Sequence, residues 1–312
     1  MLKIYSGTAG WSYKDWVPSF YPKQQSQNFD WLEYYSHYFN CVEVNSTYYS
    51  YISDKIVEGW IRKTESLEDF LFTIKLHQDF THKRIYDQEK IKAVSYNLDI
   101  LSKAGRFGCL LIQFPYSFSF TEVNFNYIRK LKEIFDSFNC FVEVRHKSWF
   151  NKKVFEALQN VDLGFTTIDQ PMVGEAIPFE PVVINKKAYL RFHGRNREAW
   201  INSVNNFGKT QTYEEQNTRY DYFYSPGELI GFEQIIVPLI KTLKEIYIIF
   251  NNHPHGQAPA NALQMINLLE KRLVEIPKNL ITAFPRLNSI AQPSLVKNST
   301  QNSENKFDFF NK

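Results

Sequence analysis

The sequence predicts an α/β protein built as one (β/α)₈ barrel, a TIM barrel, somewhat irregular around its sixth unit. Three observations predict it. Eight short apolar runs rich in β-formers recur along the chain, amphipathic stretches of helical period lie between them, and most run-to-run intervals hold one βα unit. Such alternation requires parallel strands joined by right-handed crossovers. Eight units suggest closure, with an open doubly wound sheet as the other arrangement. Gly7 and Gly10 bracket the end of the first run and match no GxGxxG turn, so nothing marks a dinucleotide fold.

Taken in order, the expected strands are 4–10, 41–45, 71–77, 109–114, 141–146, 164–169, 188–194 and 246–252. Each is short and apolar, as a strand buried on both faces should be. The expected helices are 29–39, 55–63, 91–101, 122–135, 154–159, 231–243 and 261–269. In 29–39, for example, Trp31, Leu32, Tyr35 and Phe39 share one stripe. Residues 170–187 carry three prolines and little helical period, so the sixth unit is expected to lack a full helix. The polar interval 195–225 leaves a strand at its carboxyl end, where barrels carry their functional loops, and reads as a lid. One domain is expected over 1–290 and a mobile tail over 291–312.

Composition bounds the function classes. A chain of 312 residues, 44% hydrophobic and 17% aromatic, can bury a large core. A net charge of +3 is too mild to imply nucleic-acid binding and leaves room for a local basic pocket. The odd set Cys41, Cys109 and Cys140, each at an apolar run, reads as reduced buried thiols of a cytoplasmic protein. Met1-Leu2-Lys3-Ile4 opens no signal peptide, no stretch of 18 apolar residues occurs, and no membrane partner is expected. The sequon at Asn298 then has no expected use.

Polar residues at the ends of apolar strands carry the functional signal, because a buried strand holds them only if they are satisfied or used. Residues two apart share a face. Glu43 pairs with Asn45, Thr73 with Lys75 and His77, Glu143 with Arg145, and Arg191 with His193, while Gln113, Asp169 and Asn251 close their runs. In a barrel all of these meet at one mouth. A salt-bridged polar layer is the structural alternative.

The chemical reading assigns proton transfer to Glu43, Glu143 and His193. Trp11, Asn45, Lys75, His77, Gln113, Arg145, Asp169, Arg191 and Asn251 bind substrate. Lysine and arginine suit a small anion such as a phosphorylated sugar or nucleotide-like compound. Trp11, Tyr13, Trp16, Phe20 and Tyr21 form either a pocket wall or a packed plug.

No cofactor is required, and no residue is assigned as a metal ligand. A divalent metal on Glu43, His77, Glu143, His146, Asp169 and His193 is the alternative, although the neighbouring cations oppose it. No HxH or HExxH falls in a strand or helix; His253 and His255 flank a proline in a turn. Nucleic acid is the weaker partner class, resting on a stripe of Lys83, Arg84, Arg195, Arg197, Lys209 and Arg219. A non-catalytic metabolite-binding protein is a third reading. Oligomeric state is left open.

Several of these segments together resemble the DUF72 (YecE-like) family. They are Gly7-Thr8-Ala9-Gly10-Trp11-Ser12-Tyr13-Lys14-Asp15-Trp16 with Phe20-Tyr21-Pro22, Phe39-Asn40 through Val42-Glu43-Val44-Asn45-Ser46-Thr47-Tyr48-Tyr49, and Phe72-Thr73-Ile74-Lys75. Leu111-Ile112-Gln113-Phe114-Pro115, Glu143-Val144-Arg145-His146 with Ser148-Trp149-Phe150, and Leu190-Arg191-Phe192-His193-Gly194 follow in order, then 222–229 and Phe250-Asn251-Asn252. The resemblance spans roughly 5–270 and implies a TIM barrel. It assigns no activity. By analogy of fold alone it points towards sugar-phosphate isomerases and metal-bearing apurinic-site endonucleases. Ala9 stands where the family is expected to carry Ser or Thr.

Overall fold

A computed structural model describes residues 2–205, 212 and 217–292. Eight parallel strands close into one barrel in chain order: β1 (Lys3–Ala9), β2 (Cys41–Val44), β3 (Leu71–Lys75), β4 (Phe107–Gln113), β5 (Cys140–Glu143), β6 (Leu163–Asp169), β7 (Lys187–Phe192) and β8 (Glu245–Phe250). Closure runs through β1 and β8, paired from Lys3 with Glu245 to Thr8 with Phe250. The open sheet is thereby ruled out, and all eight expected strands are present.

Helices cover the outside: α1 (Trp31–Ser36), α2 (Ser46–Tyr49), α3 (Asp54–Lys63), α4 (Gln88–Lys103), α5 (Glu122–Ile134), α6 (Lys152–Asn160), α7 (Arg197–Asn205), α8 (Pro226–Ile240), α9 (Gln257–Glu270) and α10 (Lys278–Ala283). The short α2 and α10 hold too few apolar repeats to show a stripe, and α7 lies in an interval too polar to show one. Helix α8 starts five residues before its expected bound. Pro226 occupies its first turn, and Ser225 and Glu228 form a capping box that satisfies the free N–H groups there. Periodicity locates the apolar face of a helix and not its cap.

Between β6 and β7 no helix forms, as the three prolines suggest. The chain instead makes bridges between His146 and Ala176 and between Ile184 and Lys187. The expected lid interval contains α7 and a 3₁₀ turn at Thr218–Tyr220; 206–211 and 213–216 lie outside the described residues, as does the tail from 293 onward, with its sequon. No helix among the described residues is long and apolar enough to cross a membrane.

The interior of the barrel is a separate small core of Tyr5, Ala9, Cys41, Cys109, Phe141, Tyr189, Tyr247 and Ile249. Tyr247 stacks on Tyr5 at 5.3 Å and on Tyr189 at 5.4 Å. All three cysteines are free and buried, in line with expectation. Gly164 makes room for this core. A Cβ there would stand 2.3 Å from the Phe141 ring, so β6 turns Gly164, Thr166 and Ile168 inward. That parity leaves Asp169 on the outer face.

Candidate active site

At the carboxyl end of the barrel the inward positions change from aromatic to ionic. Arg191 of β7 lies at the centre, 1% exposed, with Nη2 donating to Glu43 Oε1 at 2.6 Å and Nη1 to Glu143 Oε2. Both glutamates are fully buried. Tyr189 donates to Glu43 Oε2 at 2.7 Å, and Thr73 Oγ1 lies 3.0 Å from the Tyr189 hydroxyl. Arg145, just past β5, donates Nε and Nη2 to Glu143 Oε1 at 3.2 and 3.0 Å. Two carboxylates and two guanidiniums therefore pair with one another, which offsets much of the cost of burying them, although Arg191 Nε has no partner among the described residues.

Electrostatics follow from that arrangement. Burial would raise the Glu143 pKa, but Arg191, Arg145 and the His193 contact outweigh it and hold the carboxyl well below the usual carboxylate range. Burial, with Arg191 and Arg145 close by, drives His193 down to about 3. Its imidazole is neutral, and Asn251 Nδ2 lies 2.9 Å from Nδ1. Its Nε2 lies 3.5 Å from Glu143 Oε1 and 3.4 Å from Arg191 Nη1.

Lys75 differs from the arginines. It ends β3 with Nζ 4.1 Å from the Tyr48 ring centre, and no carboxylate lies within ion-pair distance of it among the described residues. Burial first, then Arg191 and Arg145, push its ammonium down to about 7, against the opposing pull of Glu143 and Glu43.

Above this layer opens a cavity of about 520 Å³. Of the expected residues, Trp11, Asn45, Lys75, Arg145, Arg191 and Asn251 line it. The Asn45 Oδ1 is buried with no partner among the described residues. A second hollow of about 600 Å³ shares Ser12, Tyr13, Asn217 and His253 with the first and extends the cleft towards Lys14 and Asp221. The aromatic set divides between its two readings. Trp11 and Tyr13 line the cavity, while Trp16, Phe20 and Tyr21 are fully buried as a plug.

Glu43, Glu143 and His193 belong to the same cluster but sit beneath the lining, reaching the cavity through Arg191, Arg145 and Asn251. Three expected residues are not brought to the cavity. Asp169 faces outward, where it accepts from Arg195 Nη2 at 2.7 Å and from the Tyr224 hydroxyl at 2.6 Å. His77 lies beyond the last residue of β3, stacked on Tyr51 at 4.0 Å with Asp79 3.5 Å from its Nδ1. Gln113 donates to the neighbouring Phe114 carbonyl at 2.5 Å.

Arg219 and Tyr220, by contrast, reach the cavity from the 3₁₀ turn after β7. Burial works to raise the Tyr220 pKa, but Arg219, Arg145 and Arg191 outweigh it and lower it. The sequence signal for these two was their place in a long loop after a barrel strand. Their approach depends on how that loop folds back.

Among the described residues no three of His, Cys, Asp and Glu are grouped as a metal would need; Glu43, Glu143 and His193 meet at Arg191, while His77 and Asp169 lie apart with other partners. Of the basic stripe, Arg197 opens α7 and the other described members have partners. Lys83 pairs with Asp79, Arg84 packs on Phe118, Arg195 pairs with Asp169 and Glu228, and Arg219 stacks on Tyr220. Lys209 lies outside the described residues.

A closed parallel barrel with a polar cavity at the carboxyl ends of its strands defines a TIM-barrel protein. Within that class the chain belongs to the DUF72 family, "protein of unknown function DUF72", whose model matches residues 5–283. It is 29% identical over 281 residues to the UPF0759 protein YunF of Bacillus subtilis, covering 86% of this chain and 95% of that one. The UPF0759 protein YecE of Escherichia coli O157:H7 is 28% identical over 171 residues, 54% of this chain and 57% of its own length. Among solved structures, a DUF72 family protein of Thermotoga maritima is 32% identical with a TM-score of 0.73, covering 86% of this chain and 99% of its own. One from Enterococcus faecalis, 24% identical with a TM-score of 0.71 and covering 86% and 95%, shares the fold.

Proposed function

We propose that this protein is an enzyme acting on a small anionic substrate, of the size of a phosphorylated sugar or a nucleotide, by acid–base chemistry in the barrel mouth. One observation carries the reading. Glu43 is engaged by Arg191 and Tyr189 and Glu143 by Arg191 and Arg145, so Lys75 faces the cavity with no acidic partner within ion-pair distance among the described residues. Two carboxylates offset Arg191 and Arg145, so Arg219 and the protonated fraction of Lys75 leave the cavity lining with a net positive charge, which attracts an anion.

In this reading Arg145 and Arg219 hold the anionic group, and the unpartnered Asn45 Oδ1 accepts from a substrate hydroxyl. Trp11 and Tyr13 offer a wall for a sugar or base. Lys75 and Tyr220 face the reacting atoms with pKa values moved towards neutrality, the condition for proton transfer at neutral pH. Glu43, Glu143 and His193 act through the groups they hold.

Thermal denaturation of the full chain with phosphorylated sugars and nucleotides, against sulfate at equal ionic strength, is the test. At least one phosphate ester is expected to raise the midpoint well beyond sulfate. If none does, the reading is overturned. Turnover of a stabilising compound then separates an enzyme from a metabolite sensor.

A further inference from the structure

We infer that Lys75 is an amine nucleophile which captures the carbonyl carbon of an anionic aldehyde or ketone as a covalent iminium. The inference rests on the anion-binding reading above and assigns its substrate class.

Lys75 is placed unlike the protein's other well-held lysines. Lys63 is paired with Asp30, Lys90 with Asp79 and Lys271 with Glu233, and Lys132 donates to the Asp136 carbonyl. Lys75 instead ends a barrel strand in the cavity lining, steadied by the Tyr48 ring. The groups around it come from several elements, with Tyr49, Arg219 and Tyr220 sharing its cavity lining. Glu43 on β2, Glu143 and Arg145 at the end of β5 and Arg191 on β7 are engaged with one another; Tyr48 on α2 presents its ring; His82 follows β3 and is driven down to about 4 by burial, with Lys75 and Arg145 adding to it. The Tyr48 ring favours an ammonium. Against it stand two guanidiniums and the lack of a carboxylate partner among the described residues. A lysine meant only to hold an anion gains nothing from surroundings that strip its proton. A nucleophilic amine does gain, because only its neutral form has a lone pair.

The step balances without an oxidant or reductant. The Nζ lone pair forms a C–N bond to the carbonyl carbon, and the C=O π pair moves to oxygen, which takes a proton. The resulting carbinolamine loses that oxygen as water, leaving C=N⁺. Amine, carbonyl and one proton thus become iminium and water. Tyr220 and solvent are the proton donors at hand. The iminium then draws electrons from the adjacent carbon, the requirement for proton abstraction or C–C cleavage beside a carbonyl.

The test uses the full chain with pyridoxal 5′-phosphate and D-glyceraldehyde 3-phosphate, trapped with sodium borohydride and mapped by peptide mass spectrometry. At pH 7 Lys75 is expected to label about tenfold or more faster than exposed lysines such as Lys152, because an ordinary lysine is almost wholly protonated there. Its labelling rate should rise to half its maximum near pH 7, and inorganic phosphate should slow it. Labelling of Lys75 no faster than that of Lys152 overturns the inference. If phosphate esters still stabilise the protein in that case, anion binding stands and only the covalent step falls. If neither binding nor trapping occurs, both fall. Lys75→Arg, which keeps the charge, should lose the adduct and retain stabilisation by phosphate esters.

Discussion

Removing the central cation tests the ionic layer directly. Arg191→Met keeps most of the side-chain volume and deletes both guanidinium contacts, to Glu43 and to Glu143. Breaking a buried ion pair from one side costs about 3–5 kcal/mol, since the other charge is left without compensation. Here each carboxylate keeps one partner, Tyr189 for Glu43 and Arg145 for Glu143, which places the expected loss at the lower end, about 3 kcal/mol at pH 7.

The pH dependence gives the sign. In the wild type Glu143 is held below its unfolded pKa, so its contribution is complete above that value and is lost as pH falls through the lowered one. In the variant burial faces fewer cations, so protonation relieves strain. The deficit relative to wild type should therefore shrink as pH falls from 7 towards 5, by at most about 1.4 kcal/mol per unit for each proton taken up. Urea unfolding midpoints across that range measure it, and Glu43→Gln in the same chain should recover part of the loss. A deficit under about 1 kcal/mol with parallel pH curves would refute the claim that Arg191 holds this layer together.

Two further outcomes are expected. Gly164→Ala puts a Cβ 2.3 Å from the Phe141 ring and should cost about 1–3 kcal/mol; Phe141→Leu should relieve it, with a coupling of at least about 1 kcal/mol in a double-mutant cycle of denaturation midpoints. Lys75, lowered to about 7 in the fold, binds fewer protons than the unfolded chain between that pH and about 10.5. Wild type should therefore gain stability relative to Lys75→Met as pH rises through that window, with a slope up to about 1.4 kcal/mol per unit. Parallel curves would show that the lysine keeps an ordinary pKa.

Much of the site was legible because strand parity is local. In Cys41–Val44 and its continuation, Glu43 and Asn45 must share a face, as must Glu143 with Arg145 and Arg191 with His193, whatever the rest of the chain does. Which face points inward is not local. Along Leu163–Asp169 every residue is buried on both sides, so apolar pattern alone cannot orient Asp169; pairing of Gly164 with Phe141 decides it. His77 was lost for another reason. The expected strand ran on to it, but β3 ends at Lys75, and the chain coils into Asp79–Lys83.

Element type, order and the residues able to carry charge were set by short-range chemistry: periodicity, β-branching, proline and side-chain identity. Barrel closure and the return of the loop after β7 decided the rest. They brought Arg191 between two glutamates distant in sequence, and they set Lys75, which has no carboxylate partner among the described residues, beside Arg219 and Tyr220. Ion pairing and desolvation depend on distances between segments, and those distances exist only once the eight strands have met.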